Sequence, residues 1–314
     1  MSWVRAFAPA TVSNVGPGFD AFGFALATPG DHVSVRTAET PGIRIVDIAG
    51  DEGRLPRDPP ANTASVAAAA VWRTAPDDVR GRGLEMRIEK GLAIGTGLGS
   101  SAASAVAGAF ATAHLCASRG GGMPDEATIL AAAIAGEAAT SGTRHADNVA
   151  PALLGGFTIV ERVEPPVVAR LEPALAASVV AVTPAIEIET SVARAALPAS
   201  VPLAAAVCNW ANAATLVLGL VRGDRSMVAR SCTDAIVEPI RARMIPGCDA
   251  VRAAAREAGA FACGVSGSGP TLFALADPPH AEAVRDAMRG AFADAGHDST
   301  ATVCPFGAPG ARIE

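Results

Sequence analysis

The sequence predicts a two-part chain in which strands and helices interleave, and three observations carry that reading. At 314 residues the chain is longer than one ordinary domain. Half of its residues are hydrophobic and 18% are charged, which is ample material for a buried core. Short β-branched runs alternate with alanine-rich stretches in both halves.

Taken in order, residues 2–10 and 32–37 read as strands joined by a loop that holds Asn14, Gly16, Pro17, Gly18 and Asp20. Residues 42–48 and 84–89 are further short strands by alternation and β-branching. Between them, 62–72 is a buried Ala/Val helix opened by the polar cap Asn62. A glycine-rich loop over 91–99 runs into a helix of small residues over 100–118, closed by glycines at 120–122. A helix over 125–140 and a strand over 155–163 complete the first part. The proline-rich stretch 163–173 predicts a linker, dividing the chain into 1–162 and 163–314. The second part has strands at 179–182, 262–265, 271–276 and 300–304, and helices at 212–222, 226–235, 249–258 and 281–295.

The net charge of −6 and a pI near 5.4 argue against a nucleic-acid partner, so a small anionic ligand must be held by a local positive site. Six cysteines fall without any C-x-x-C pair, which fits a reducing compartment. No apolar leader with a cleavage site opens the chain, and its apolar stretches are short or broken, so a cytoplasmic protein without a membrane partner is expected.

The strongest single feature is GTGLGSSAAS, Gly95 to Ser104, between a strand and a helix of small residues. Glycines let backbone approach a ligand without Cβ clashes. The helix that follows offers unpaired N–H groups and a positive dipole end to a phosphate. The hydroxyls of Ser100 and Ser101 can bond phosphate oxygens or join a magnesium shell. Nothing basic follows Gly99, which excludes the G-x-x-x-x-G-K-[ST] loop, and the two-residue spacing of Gly95, Gly97 and Gly99 does not make G-x-G-x-x-G. A glycine turn capping an alanine-rich helix is the plain structural alternative.

Read with its neighbours, this loop resembles the second motif of the GHMP small-molecule kinases. PATVSNVGPGFDAFGFAL (9–26) resembles their first motif and GVSGSGPTLFAL (264–275) their third, in the family's order. HADNVAPALLGGF (145–157), TSVARAALP (190–198) and EPIRARMIPG (238–247) are similar to the homoserine kinase branch in particular. In one departure, Ala93 stands where the family pattern has proline.

The resemblance implies an α+β fold of two domains, the first like ribosomal protein S5 domain 2 and the second ferredoxin-like, with the active site between them. It implies ATP and Mg2+, with L-homoserine as the small-molecule substrate. The nucleotide would meet Asn62, Lys90, Gly95, Gly97, Leu98, Gly99, Ser100, Ser101 and Ala102. Asn62 has an equally good post as a helix cap, and Lys90 reads equally as an exposed strand-end lysine. Glu137 and Ser101 would hold the metal. An amino acid needs opposite charges at separated points, so Arg194 and Arg241 are expected on its carboxylate, and Asp20 and Asn14 on its ammonium or hydroxyl. His145 and Asn148 complete the polar set, and Thr190 lies one helical turn before Arg194. The catalytic group is thus Glu137, Asn148 and Ser101, and no general base is assigned because a loose transition state does not need early deprotonation. Homodimers are common in such families, and one is expected. The alternative is another kinase of the superfamily acting on a small alcohol such as mevalonate or shikimate.

Overall fold

The computed structural model describes residues 2–142 and 144–314. The first half builds a mixed sheet from β1 (Val4–Ser13), β2 (Phe22–Ala38), β3 (Gly42–Ala49), β4 (Gly83–Glu89), β5 (Phe157–Val163) and β6 (Pro166–Leu171). β1 and β4 flank β2 antiparallel, β3 runs parallel to β4, and the start of β2 pairs with β5. β1 and β2 are longer than alternation predicts, β2 by the whole of 22–31. The pattern fails because both faces are covered, so Ala6–Ser13 of β1 is a continuous buried run. The expected linker is no linker either. β6 pairs with β5 along its length, and its Pro166 sits at the strand start on a sheet edge, where no ladder N–H is required.

Five helices belong to this half: α1 (Thr63–Trp72), the single turn α2 (Asp77–Arg80), α3 (Ser100–Cys116), α4 (Glu126–Ser141) and α5 (Val149–Leu154). α3 lies against β1 and β2 and also packs on α1 and α4. Small residues make this possible. A Cβ on Gly108 of α3 would stand 2.5 Å from the Ala64 carbonyl, and one on Gly136 of α4 2.6 Å from that of Thr63. The helices meet at backbone distance, and α3, covered on most sides, is apolar nearly all round.

The second half carries α6 (Thr190–Ala195), α7 (Leu203–Arg222), α8 (Arg225–Ser231), α9 (Glu238–Arg241), α10 (Cys248–Glu257) and α11 (Ala281–Asp294). Its sheet of β7 (Ser178–Pro184), β8 (Ala260–Val265), β9 (Leu272–Ala276) and β10 (Ser299–Pro305) has the order β10-β7-β9-β8, all antiparallel. That order, with α10 and α11 packed on the sheet, is the ferredoxin-like arrangement expected. α7 starts at Leu203, well before residue 212, where the sequence places it; its first half has no charged face to betray a surface helix. α8 stops at Ser231, short of the expected end.

A two-residue strand, β11 (Arg312–Ile313), brings the chain back to β1. An apolar core joins the two sheets, with Phe24 of β2 meeting Phe273 of β9 and Phe306 edge-on at centroid distances of 5.7 and 5.0 Å, and a second core lies between the second sheet and α10 and α11. The halves are therefore packed against each other, and the groove between them has fixed walls.

Candidate active site

A cavity of about 420 Å³ opens between the halves. Its floor is the glycine loop. Gly95, Gly97 and Gly99 have φ of 75°, 78° and 67°, and a Cβ on Gly97 would stand 2.6 Å from the carbonyl oxygens of both Ser266 and Gly269. The third motif thus braces the loop from the other half. Ser266 Oγ donates to Gly97 O at 2.7 Å, and Thr271 Oγ1 to Thr96 O at 2.7 Å. α1 and α4 are capped by the side chains of Asn62 and Asp125, whereas the Gly99 cap of α3 has no side chain to offer. The first N–H groups of this 17-residue helix are those of Ser100 and Ser101, which line the cavity, and no side chain caps them.

Not every expected nucleotide contact stands here. Leu98 and Ala102 are buried and do not line the cavity. The Lys90 ammonium is buried and paired with the fully buried Asp31, and it donates to Ser104 Oγ at 2.9 Å and to the Ser100 carbonyl at 3.0 Å. Three acceptors use its three donors, so it ties the loop to β2 at the cavity wall and is not the exposed strand-end lysine the sequence also allowed. Burial pushes its pKa down against the pull of Asp31. Asn62 is likewise occupied as the α1 cap, accepting from Ala64 N and Ser65 N and donating to the Pro56 carbonyl, although it still lines the cavity.

Past the start of α3 lie two acids. Burial pushes the Glu137 carboxyl up, a hydrogen bond from Ser101 opposes this, Asp147 adds to it and the Lys90 charge reduces it. Burial, and then the neighbouring Asp20, push Asp147 up to about 6, against a hydrogen bond from Ser13. Asn148 is held between two hydroxyls: it accepts from Thr11 Oγ1 at 2.7 Å and donates to Ser13 Oγ at 2.9 Å. Gly99 leaves room for this, since a Cβ there would stand 2.8 Å from Asn148 Oδ1.

The far end is cationic. Arg194, on the α6 helix that also carries Thr190, grips Asp20 through both carboxylate oxygens at 2.7 and 2.8 Å. Arg241 is buried and donates to the Gly267 carbonyl at 2.6 Å. Both guanidinium groups lie over the Phe19 ring, at 5.3 and 5.1 Å. Asp20 and Asn14 adopt positive φ, and Asn14 Oδ1 accepts from Asp20 N at 2.8 Å, so the loop is wound to present Asp20. Burial and the two arginines push His145 down, and it lines the same space.

The structure therefore brings together Asn14, Asp20, Glu137, His145, Asn148, Thr190, Arg194 and Arg241 with the loop backbone. The sequence reading missed Asp31, Ser13 and Asp234. Ser13 adjoins Asn14 in the first motif and was within reach. Asp31 is 59 residues from Lys90, and only tertiary pairing reveals it. Asp234 accepts from the N–H groups of Ile236, Val237 and Glu238 and from Asn209 Nδ2, which sets the start of α9 and hence Arg241.

The family profile described as GHMP kinases N terminal domain matches residues 62–156, and GHMP kinases C terminal matches 216–294. The chain is 38% identical to the homoserine kinase of Chlorobaculum tepidum, over 100% of this chain and 98% of that one. It is 45% identical to that of Thermococcus gammatolerans, over 85% and 86%. The crystal structure of homoserine kinase from Cytophaga hutchinsonii superimposes with a TM-score of 0.93 at 39% identity, covering 100% and 98%. The Leishmania major mevalonate kinase, solved with R-mevalonate, has a TM-score of 0.69 at 16% identity, which is a likeness of fold.

Proposed function

Because the chain belongs to the homoserine kinases of the GHMP kinase family, we propose that the cavity transfers the terminal phosphoryl group of ATP to the hydroxyl of L-homoserine, giving O-phospho-L-homoserine and ADP. The observation that carries the site assignment is the uncapped, glycine-built start of α3 opening into the same cavity as two stacked guanidinium groups. One end suits polyphosphate and the other the carboxylate of an amino acid.

In this reading the amides at the head of α3 hold phosphate oxygens, and Arg241, fixed by Gly267 and Phe19, holds the homoserine carboxylate with Arg194. Asp20 takes the ammonium, so substrate inserts into the Asp20–Arg194 pair by supplying each partner with the opposite charge. Asn148, locked between Thr11 and Ser13, orients the hydroxyl. Positioning and charge neutralisation carry such a transfer, with no dedicated base.

The chemistry of the donor set fits Mg2+. Among the described residues no cluster of three or more His, Cys, Asp or Glu forms a protein cage. Mg2+ instead takes one or two protein oxygens beside phosphates and water. Glu137 and Ser101 would hold it, and its charge would neutralise the phosphates and lower the raised Glu137 carboxyl. Glu137→Gln is expected to lower kcat and weaken the magnesium dependence; an unchanged magnesium response removes Glu137 from the metal site. The test of the whole reading is ADP release with ATP and, in turn, L-homoserine, L-threonine, L-serine and mevalonate. A preference for mevalonate overturns it.

A further inference from the structure

Asn148 meets two hydroxyls, and a hydroxyl both donates and accepts. The row Thr11–Asn148–Ser13 would hold equally well with the amide turned over, Nδ2 on Thr11 and Oδ1 on Ser13. Which amide atom stands beside the reacting hydroxyl is therefore set by something further out.

Ser13 sets it. The residue is fully buried, so its one proton and two lone pairs need partners inside the protein. Asn14 accounts for one lone pair. Its Oδ1 accepts from Asp20 N at 2.8 Å, a group that only donates, which leaves Asn14 Nδ2 to donate to Ser13 Oγ at 3.3 Å. Asp147 accounts for the proton, because an ionised carboxylate only accepts. The remaining lone pair calls for a donor, and Asn148 supplies Nδ2 to it at 2.9 Å. Asn148 Oδ1 is thereby turned to Thr11 and to the Gly99 end of α3, where it keeps a second lone pair.

We propose that Ser13 is a positioning residue for phosphoryl transfer, fixing the Asn148 amide so that an acceptor and not a donor meets the substrate hydroxyl. This rests on the function proposed above. An acceptor there takes the hydrogen bond of the homoserine O–H and leaves the oxygen's lone pairs directed at phosphorus. A turned amide would donate N–H to that oxygen and occupy a lone pair that has to attack. The carboxylate and ammonium of the substrate would still be held, so the cost falls on the chemical step and not on binding.

Ser13→Ala tests this with kcat and KM taken separately. The expected result is a kcat lower by about tenfold, with the KM of homoserine and of ATP each within about twofold of wild type and the magnesium dependence unchanged. In an Asn148→Ala background the same change should cost less than about twofold, since the amide that Ser13 orients is gone. An unchanged kcat overturns the proposal, and so does an equal loss in the Asn148→Ala background. Should Ser13→Ala fail to fold, neutron diffraction from wild-type crystals near neutral pH reads the same arrangement without substrate. The Ser13 deuteron is expected on Asp147, and the deuterated amide nitrogen of Asn148 on Ser13. A Ser13 deuteron aimed at Asn148 overturns the proposal. A wild type that releases no ADP with L-homoserine counts against the proposed function instead, and the neutron map then decides on Ser13 by itself.

Discussion

Arg241 and Asp147 show how burial sets the work of single side chains. Arg241 is buried, so its guanidinium has few alternatives to a carboxylate placed in the cavity. Arg241→Ala is expected to raise the homoserine KM by about tenfold or more, the scale of a lost charged hydrogen bond, and to leave the ATP KM nearly unchanged. Equal damage to both constants would remove Arg241 from the amino-acid end. For Asp147 the folded-state pKa is raised from 3.8 to about 6. The associated stability is fully present below 3.8 and is lost as pH rises through about 6. Asp147→Asn abolishes that loss. Its stability relative to wild type should therefore grow from near zero at about pH 4 to at most about 3 kcal/mol at pH 7, read by urea unfolding. A difference that does not change with pH refutes this. The stretches around both arginines resemble the family's motifs, so their place at the cavity was legible in the sequence. The burial of Lys90 was not legible, since no spacing along the chain discloses a partner as remote as Asp31.

At the scale of elements, the glycine loop is fixed by what presses on it. Gly97→Ala would push a methyl group against two carbonyl oxygens of the third motif at a φ of 78°, so neither backbone can yield cheaply. A displacement of the loop by about 1 Å costs on the order of 100-fold in kcat/KM. Gly290→Ala in α11 is the contrast, with open space around its Cβ position. It should raise stability by about 0.5–1 kcal/mol in thermal unfolding and leave activity alone. The loop and its helix were legible because glycine spacing and small residues are local signals. The full length of β2 and the start of α7 were not. Period-two alternation disappears in a strand covered on both faces, and Pro202 with an alanine-rich run gives no amphipathic onset.

Across the whole molecule, an apolar core joins the two sheets through Phe24. Phe24→Ala is expected to cost about 3–5 kcal/mol. It should lower a single unfolding transition rather than split it, and calorimetry showing two separate transitions would mean that the halves are independent. The two-part plan was readable from the alternation of elements, but the place where the chain changes sheets was not, because the proline-rich stretch hides a hairpin. The chain's last strand has a practical consequence. β11 lies on β1 although the other sheet and its helices, from Ser178 to Pro305, intervene, so the second unit is nested inside the first. A fragment cut after Leu171 would carry a bare β1 edge, open to edge-to-edge association, and should aggregate unless the closing strand is spliced back on.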